Sequence, residues 1–490
     1  MVFNSLEFLI FFPVVTLVYF VIPKKIRYIW LLIASYYFYM SWNPKYALLI
    51  AFSTAVTYAS GLLIGHFRGE ERVRTRKWCV ALSLIINLGI LAVFKYGNFM
   101  IANLSSVLSR IGIGVISYRL DLLLPVGISF YTFQALSYTL DVYREKITPE
   151  RNILKYALFV SFFPQLVAGP IERSSSLLPQ IRKIAEIRVW DFERVRDGFL
   201  LMMWGLFQKI VIADRVSILV DQVINDYTSY GFAEINLAVF LFAVQIYCDF
   251  GGYTNIARGA AKVMGFDLMN NFRQPYLARS IKDFWRRWHI SLTSWFTDYL
   301  YIPLGGNRKG QARRYLNILI VFAVSGLWHG ASWNFAAWGL LHALLQIIGD
   351  VRGRIRKKTG WNVFGKDSFS ARLRNVIITF VLVDFAWIFF VCSGLSHALQ
   401  LIRQMFCVFS TTNILDLGLN EVNLWIAGVA ILVLLAVDIM HEKGLSVSAL
   451  VNRQEIWFRW ILYLGLVWSI LLLGIYGQAY DTSTFIYFQF

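Results

Sequence analysis

Apolar runs long enough to cross a lipid bilayer recur through this sequence, and that feature leaves few folds open. A spanning helix needs about 20 mostly apolar residues. Such runs occupy 6 to 22, 26 to 42, 45 to 65, 78 to 95, 122 to 140, 198 to 214 and 235 to 250, then 315 to 333, 334 to 349, 374 to 392, 424 to 440 and 460 to 477. In hydrocarbon each backbone N–H and C=O must be satisfied within the segment, so these runs predict helices and not open sheet. The expectation is an all-α polytopic membrane protein with about twelve transmembrane helices. Composition agrees, with 58% hydrophobic residues and a mean hydropathy of +0.56. No linker, low-complexity tract or internal repeat divides the chain, so 1–490 reads as one membrane domain.

Charge gives the orientation. The 47 basic and 29 acidic residues leave a net +18, gathered in short stretches between apolar runs. That pattern is membrane topology and not nucleic-acid binding, because Lys and Arg accumulate in cytoplasmic loops. The stretches KKIR (24 to 27), RGEERVRTRK (68 to 77), YREKITPERN (143 to 152), GGNRKGQARR (305 to 314) and VRGRIRKK (351 to 358) are therefore placed inside, with both termini outside. The opening MVFNSLEFLIFFPVVTLVYFVIP lacks a charged n-region and a small-residue cleavage site, so it is expected to stay as the first span. Two apolar stretches, 153 to 170 and 290 to 304, lie between flanks that both read as cytoplasmic. They are expected to be re-entrant or interfacial, which the membrane tolerates where protein or a water-filled cavity satisfies the backbone.

Ionisable groups inside an apolar segment are functional candidates. His329, in SGLWHGASWNF, sits about 20 Å into a helix beginning near Tyr315 at roughly 1.5 Å per residue. A buried ring is cheaper to keep neutral than charged, and a neutral imidazole accepts a proton, as a general base must. A hydrogen-bonded packing residue is the alternative. His289, in KDFWRRWHISLTSWF, stands at the mouth of the second re-entrant stretch, or is an interfacial His among basic residues. Trp328, Trp333, Asn334 and Asp249 are expected to line a tunnel, and Gly326 and Gly330 to leave it room. Asp249, Asp384 and Asp438 must each be protonated or paired, and His342 is a remoter candidate. Arg279, Lys282, Arg286, Arg287, Arg308 and Lys309 are expected to attract an anionic donor from the cytoplasm. Four cysteines without CxxC spacing indicate neither zinc nor a disulfide framework, and no metal site is expected.

The stretches LLPVGISFYTFQALSYTLDVYR (123 to 144), FPQLVAGPIER (163 to 173), QIYCDFGGYTNIARGAAKVMGF (245 to 266), DFWRRWHISLTSWFTDYLYIPLGGNR (283 to 308) and SGLWHGASWNFAAWGLLHA (325 to 343) resemble the membrane-bound O-acyltransferase family. The likeness is strongest to its bacterial alginate O-acetyltransferase branch. The resemblance implies a funnel of helices in a bacterial plasma membrane, with His329 essential and His289 its upstream partner. It further implies acetyl-CoA as acyl donor with no bound cofactor, an extracytoplasmic polysaccharide as acceptor, and a secreted or membrane-anchored SGNH-hydrolase-like partner that completes transfer. Two other readings stay open: D-alanyl-type transfer from a carrier-protein thioester to a cell-wall polymer, and a proton-coupled transporter or flippase. The C-terminal TFIYFQF is expected at the outer surface, either as an aromatic anchor or with Tyr487 relaying the acyl group as an ester.

Overall fold

The computed structural model describes residues 1–67, 69, 72–167, 169–359, 368–409, 412–476 and 485–486. Among these the chain is all helix and turn, without a strand. Helices Lys45–His66, Val73–Arg110, Phe232–Val263, Phe369–Val391, Glu421–Glu442 and Ile456–Leu473 are each long and apolar enough to cross a membrane, and Leu6–Val21 is a shorter apolar helix. The protein is therefore multi-pass. The other expected spans are helical too, but shorter or more polar along their length. Polar caps start two of the long helices: Ser368 Oγ accepts from the Ala371 N–H and Asn420 Oδ1 from that of Asn423, each satisfying a donor the helix leaves over.

Contacts divide the chain into two compact units, one of residues 1–199 and 257–269, the other of 200–256 and 270–490. Within the first, the helix expected over 78 to 95 instead runs from Val73 to Arg110 through a π-helical segment at Ala92–Tyr96. Lys95 and Gly97 look like a stop, yet Lys95 Nζ reaches Ser129 Oγ at 3.5 Å and the chain winds on. The run expected over 122 to 140 begins later, at Ile128, because 114 to 125 has no regular structure. Gly127 makes the entry turn at φ 75°, where a Cβ would strike the Leu166 carbonyl, so only glycine fits. The 153 to 170 stretch folds as two short helices, Ile153–Ser161 and Phe163–Leu166, neither long enough to cross.

In the second unit the helix expected over 315 to 333 ends at His329. Gly330 is extended, three residues turn the chain, and Trp333–Thr359 returns against Gly310–His329. Gly326 and Gly339 allow this contact: a Cβ on either would meet a backbone carbonyl, of Phe335 and Phe322 respectively. Small residues at such crossings let helices approach where no hydrophobic drive exists between them in lipid. Gly330 is likewise covered, by the Phe335 ring, so these glycines pack the hairpin closely.

Candidate active site

His289 and His329 come from distant parts of the sequence and meet in the interior of the second unit. Their ring centroids are 6.3 Å apart, and the residues are 0% and 3% exposed. His329 is the last residue of its helix, so the chain turns away immediately after it. The rings of Trp328, Trp338 and Phe390 surround it at 5.0, 5.1 and 5.4 Å. The ring of Phe250 lies 4.8 Å from that of His289.

His289 is held in place by its backbone. It caps the short Ile290–Phe296 helix in the left-handed region, at φ 43° and ψ 54°, a conformation that costs an L-residue energy and persists only where neighbours enforce it. Asn271 enforces it. Its carbonyl accepts from the Ile290 N–H at 2.9 Å and its Oδ1 from the Ser291 hydroxyl at 2.6 Å, while its Nδ2 donates to Thr254 Oγ1. The stretch expected to be re-entrant, 290 to 304, is this helix followed by a π-helical segment at Thr297–Tyr301, too short to span.

The remaining candidates separate. Trp328 is buried against both histidines. Trp333 is 56% exposed at the start of its helix. Asn334 is buried, and its Nδ2 donates to the Phe389 and Cys392 carbonyls, satisfying acceptors at the end of the Phe369–Val391 helix. Asp249 is paired as its burial requires: Lys209 Nζ lies 2.6 Å from its Oδ1 and 2.8 Å from Asp214. Asp438 accepts from the Tyr247 hydroxyl. His342 Nδ1 accepts from Trp285 Nε1 at 3.3 Å, which fits core packing. Among the described residues no group of three or more His, Cys, Asp and Glu is arranged to hold a metal. Tyr487 lies outside the described residues.

Of the six cationic candidates, Arg286, Arg308 and Lys309 are exposed, whereas Arg287 is 7% exposed and clasped by Asp283 and, through two hydrogen bonds, by Glu442. The other two, Arg279 and Lys282, line a basic cavity of about 610 Å³ with Arg314, Arg352, Arg356 and Lys357, where Asp350 is the only acid among the described lining residues. Sequence reading had singled out the 351 to 358 stretch for topology alone, although its five cations without an acid were a visible signal. Asn271, Lys209 and Trp338 carried no comparable signal.

The hairpin holding His329 gives a direct test. Gly326→Val would drive a side chain into the Phe335 carbonyl, which cannot rotate away. Overpacking of this kind costs about 1–3 kcal/mol. The variant is expected to melt earlier in detergent and to lose activity as His329 shifts. Unchanged melting would show that the two helices do not depend on this contact.

A family model described as MBOAT, membrane-bound O-acyltransferase family, matches residues 148–395, a segment containing both histidines. The chain is 36% identical over 435 residues to a probable alginate O-acetylase of Pseudomonas aeruginosa, covering 86% of this chain and 78% of that protein. It is 33% identical over 454 residues to a peptidoglycan O-acetyltransferase of Helicobacter pylori, at 86% and 81% coverage. To a teichoic acid D-alanyltransferase of Bacillus subtilis the identity is 27% over 284 residues, covering 55% and 68%.

Proposed function

This chain belongs to the membrane-bound O-acyltransferase family and is an acyltransferase, and from that premise we propose that it moves acetyl from a cytoplasmic donor across the plasma membrane for O-acetylation of an extracytoplasmic polysaccharide. The observation that carries the reading is the facing pair of buried histidines inside the matched segment. Acetylation is preferred to D-alanylation because the acetylating relatives align over most of the chain, and the D-alanyltransferase over little more than half. About twelve spans forming a funnel around the site would suit a route open to both faces.

The chemistry asks for one base and one group that orients the carbonyl. A hydroxyl attacks the thioester carbonyl, the new C–O bond forms and the C–S bond breaks. His329 takes the hydroxyl proton and returns it to the departing sulfur, while His289 steadies the carbonyl oxygen. Positioned proton transfer is worth about 10²–10⁴ in rate. We assign Tyr487 as the first hydroxyl acceptor, from which an SGNH-hydrolase-like partner outside would take the acetyl group to the polymer.

Acetyl-CoA is the proposed donor, approaching from the side bearing the basic cavity and the exposed Arg286, Arg308 and Lys309. A polyanion is attracted there over a range that salt shortens, from about 10 Å at 0.1 M to about 3 Å at 1 M. Purified protein in lipid nanodiscs should therefore release CoA from labelled acetyl-CoA, with a KM that rises several-fold over that salt range. No CoA release would remove acetyl-CoA as donor. A KM indifferent to salt would remove the cations from its recognition.

A further inference from the structure

Phe485 and Ile486 are 1% and 4% exposed. The Phe485 ring packs on Tyr253 at 4.7 Å and on Phe250 at 6.3 Å, and Phe250 is the ring that lies against His289. The Ile486 N–H donates to Asp249 Oδ2 at 2.8 Å, deep in the Phe232–Val263 helix. The departure of this segment from the last long helix is fixed as well. Arg215 donates to the Leu473 carbonyl and to Asn423, and the Ile475 N–H to the Ile210 carbonyl. Ile210 belongs to the π-helical segment Phe207–Ala213, which also carries Lys209, the cation paired with Asp249.

We propose that Asp249 is a positioning residue for the acyl transfer: held by Lys209, whose ammonium also pairs with Asp214, it latches Phe485 and Ile486 in the interior beside Phe250, the ring that lies against His289. The inference rests on the acyltransferase reading of the histidine pair. Lys209 supplies the compensating charge that lets a carboxylate remain in the interior. One carboxylate oxygen faces the ammonium and the other is turned to the Ile486 N–H, a charge-assisted bond stronger than one between neutral groups. A π-helical segment inside a helix is a common way to aim a side chain at a functional site, and here it carries Lys209. The latch accounts for a paired, buried aspartate in a place where helix packing alone needs none.

Two sets of variants test this from opposite sides of the hydrogen bond. Ile486→Pro removes the donor and leaves the bundle untouched, whereas Ile486→Ala keeps it. Asp249→Leu removes the acceptor, whereas the amide oxygen of Asp249→Asn still accepts. Each is made together with Phe485→Cys, and maleimide labelling of the C-terminal peptide is read by mass spectrometry in membranes. Proline at 486 and leucine at 249 should each speed labelling about tenfold over their conservative counterparts. In the otherwise unaltered protein both should lower the rate of polymer acetylation at least tenfold without changing the KM for acetyl-CoA. The combined Ile486→Pro, Asp249→Leu variant should be no worse than the poorer single one, since both break one bond. Labelling unchanged by proline, a faster-labelled tail with full acetylation, or strictly additive losses would each overturn the proposal. If Asp249→Leu fails to accumulate, the Ile486 pair decides alone. Labelling reads tail position whether or not acetyl-CoA proves to be the donor, so failure of the latch and failure of the acyltransfer reading are distinguishable.

Discussion

Replacing His329 by alanine is expected to reduce polymer acetylation by about 10²–10⁴-fold, the range associated with losing a positioned proton acceptor. Trp328, Trp338 and Phe390 pack around the ring, so alanine also leaves a void, and the loss must be separated from damage to the fold. His329→Gln fills most of that space with a group that cannot take a proton at neutral pH. It should be as inactive as alanine while melting closer to the parent protein. Replacement of His289 should also be severe, since Asn271 and the left-handed backbone hold its ring toward the same point. A glutamine variant retaining more than about a tenth of the activity would make His329 a packing residue and leave the chemistry without a base.

His289 and His329 were each legible as candidates because both are polar rings set in apolar or re-entrant sequence, where such groups are costly, whereas their pairing was implied by the family resemblance. The positions of most helices were legible for the same reason: an apolar run of sufficient length has few alternatives. Helix ends were not. Lys95 looks like a boundary in sequence because an unpartnered cation must reach water, but Ser129, more than thirty positions away, lets the helix continue. The opposite error occurs at His329, where an apolar run suggests continuity through 333 and Gly330 ends the helix. Trp338 stands nine positions after His329, yet the hairpin turn brings it back against the ring, a contact no helical period predicts. The demand that Asp249 be paired was visible from its apolar surroundings, but its partner was hidden because Lys209 lies forty residues upstream in another helix. Arg287 shows the converse, a cation in a basic stretch whose charge is already answered inside the protein by Glu442 and Asp283. Within the aromatic C-terminal stretch, the burial of Phe485 and Ile486 was not legible, because aromatic and apolar residues suit a membrane boundary and a buried cluster equally well.

Tyr487→Phe is expected to lower polymer acetylation to background, a loss of about 100-fold or more if the phenolic oxygen is the obligatory carrier, since a positioned covalent step has no equally fast bypass. The substitution keeps the ring and removes one hydroxyl, so an aromatic anchor would be left intact. Its chain neighbours Phe485 and Ile486 are buried, the first near the Phe250 ring and the second with its N–H on Asp249. Two readouts separate a relay from an anchor. In membranes lacking the proposed SGNH-hydrolase-like partner, the parent protein should accumulate a C-terminal peptide heavier by one acetyl group after incubation with acetyl-CoA, and the phenylalanine variant should not. On the proposed order of steps the donor meets the histidine pair before the acceptor, so the phenylalanine variant should keep an unaltered KM for acetyl-CoA in its residual thioester hydrolysis. His329→Gln should prevent acetylation of the peptide even though Tyr487 is present, placing the base before the carrier in the sequence of steps. Full polymer acetylation by the phenylalanine variant would eliminate Tyr487 as carrier and require the histidine pair to deliver acetyl directly to a hydroxyl arriving from outside.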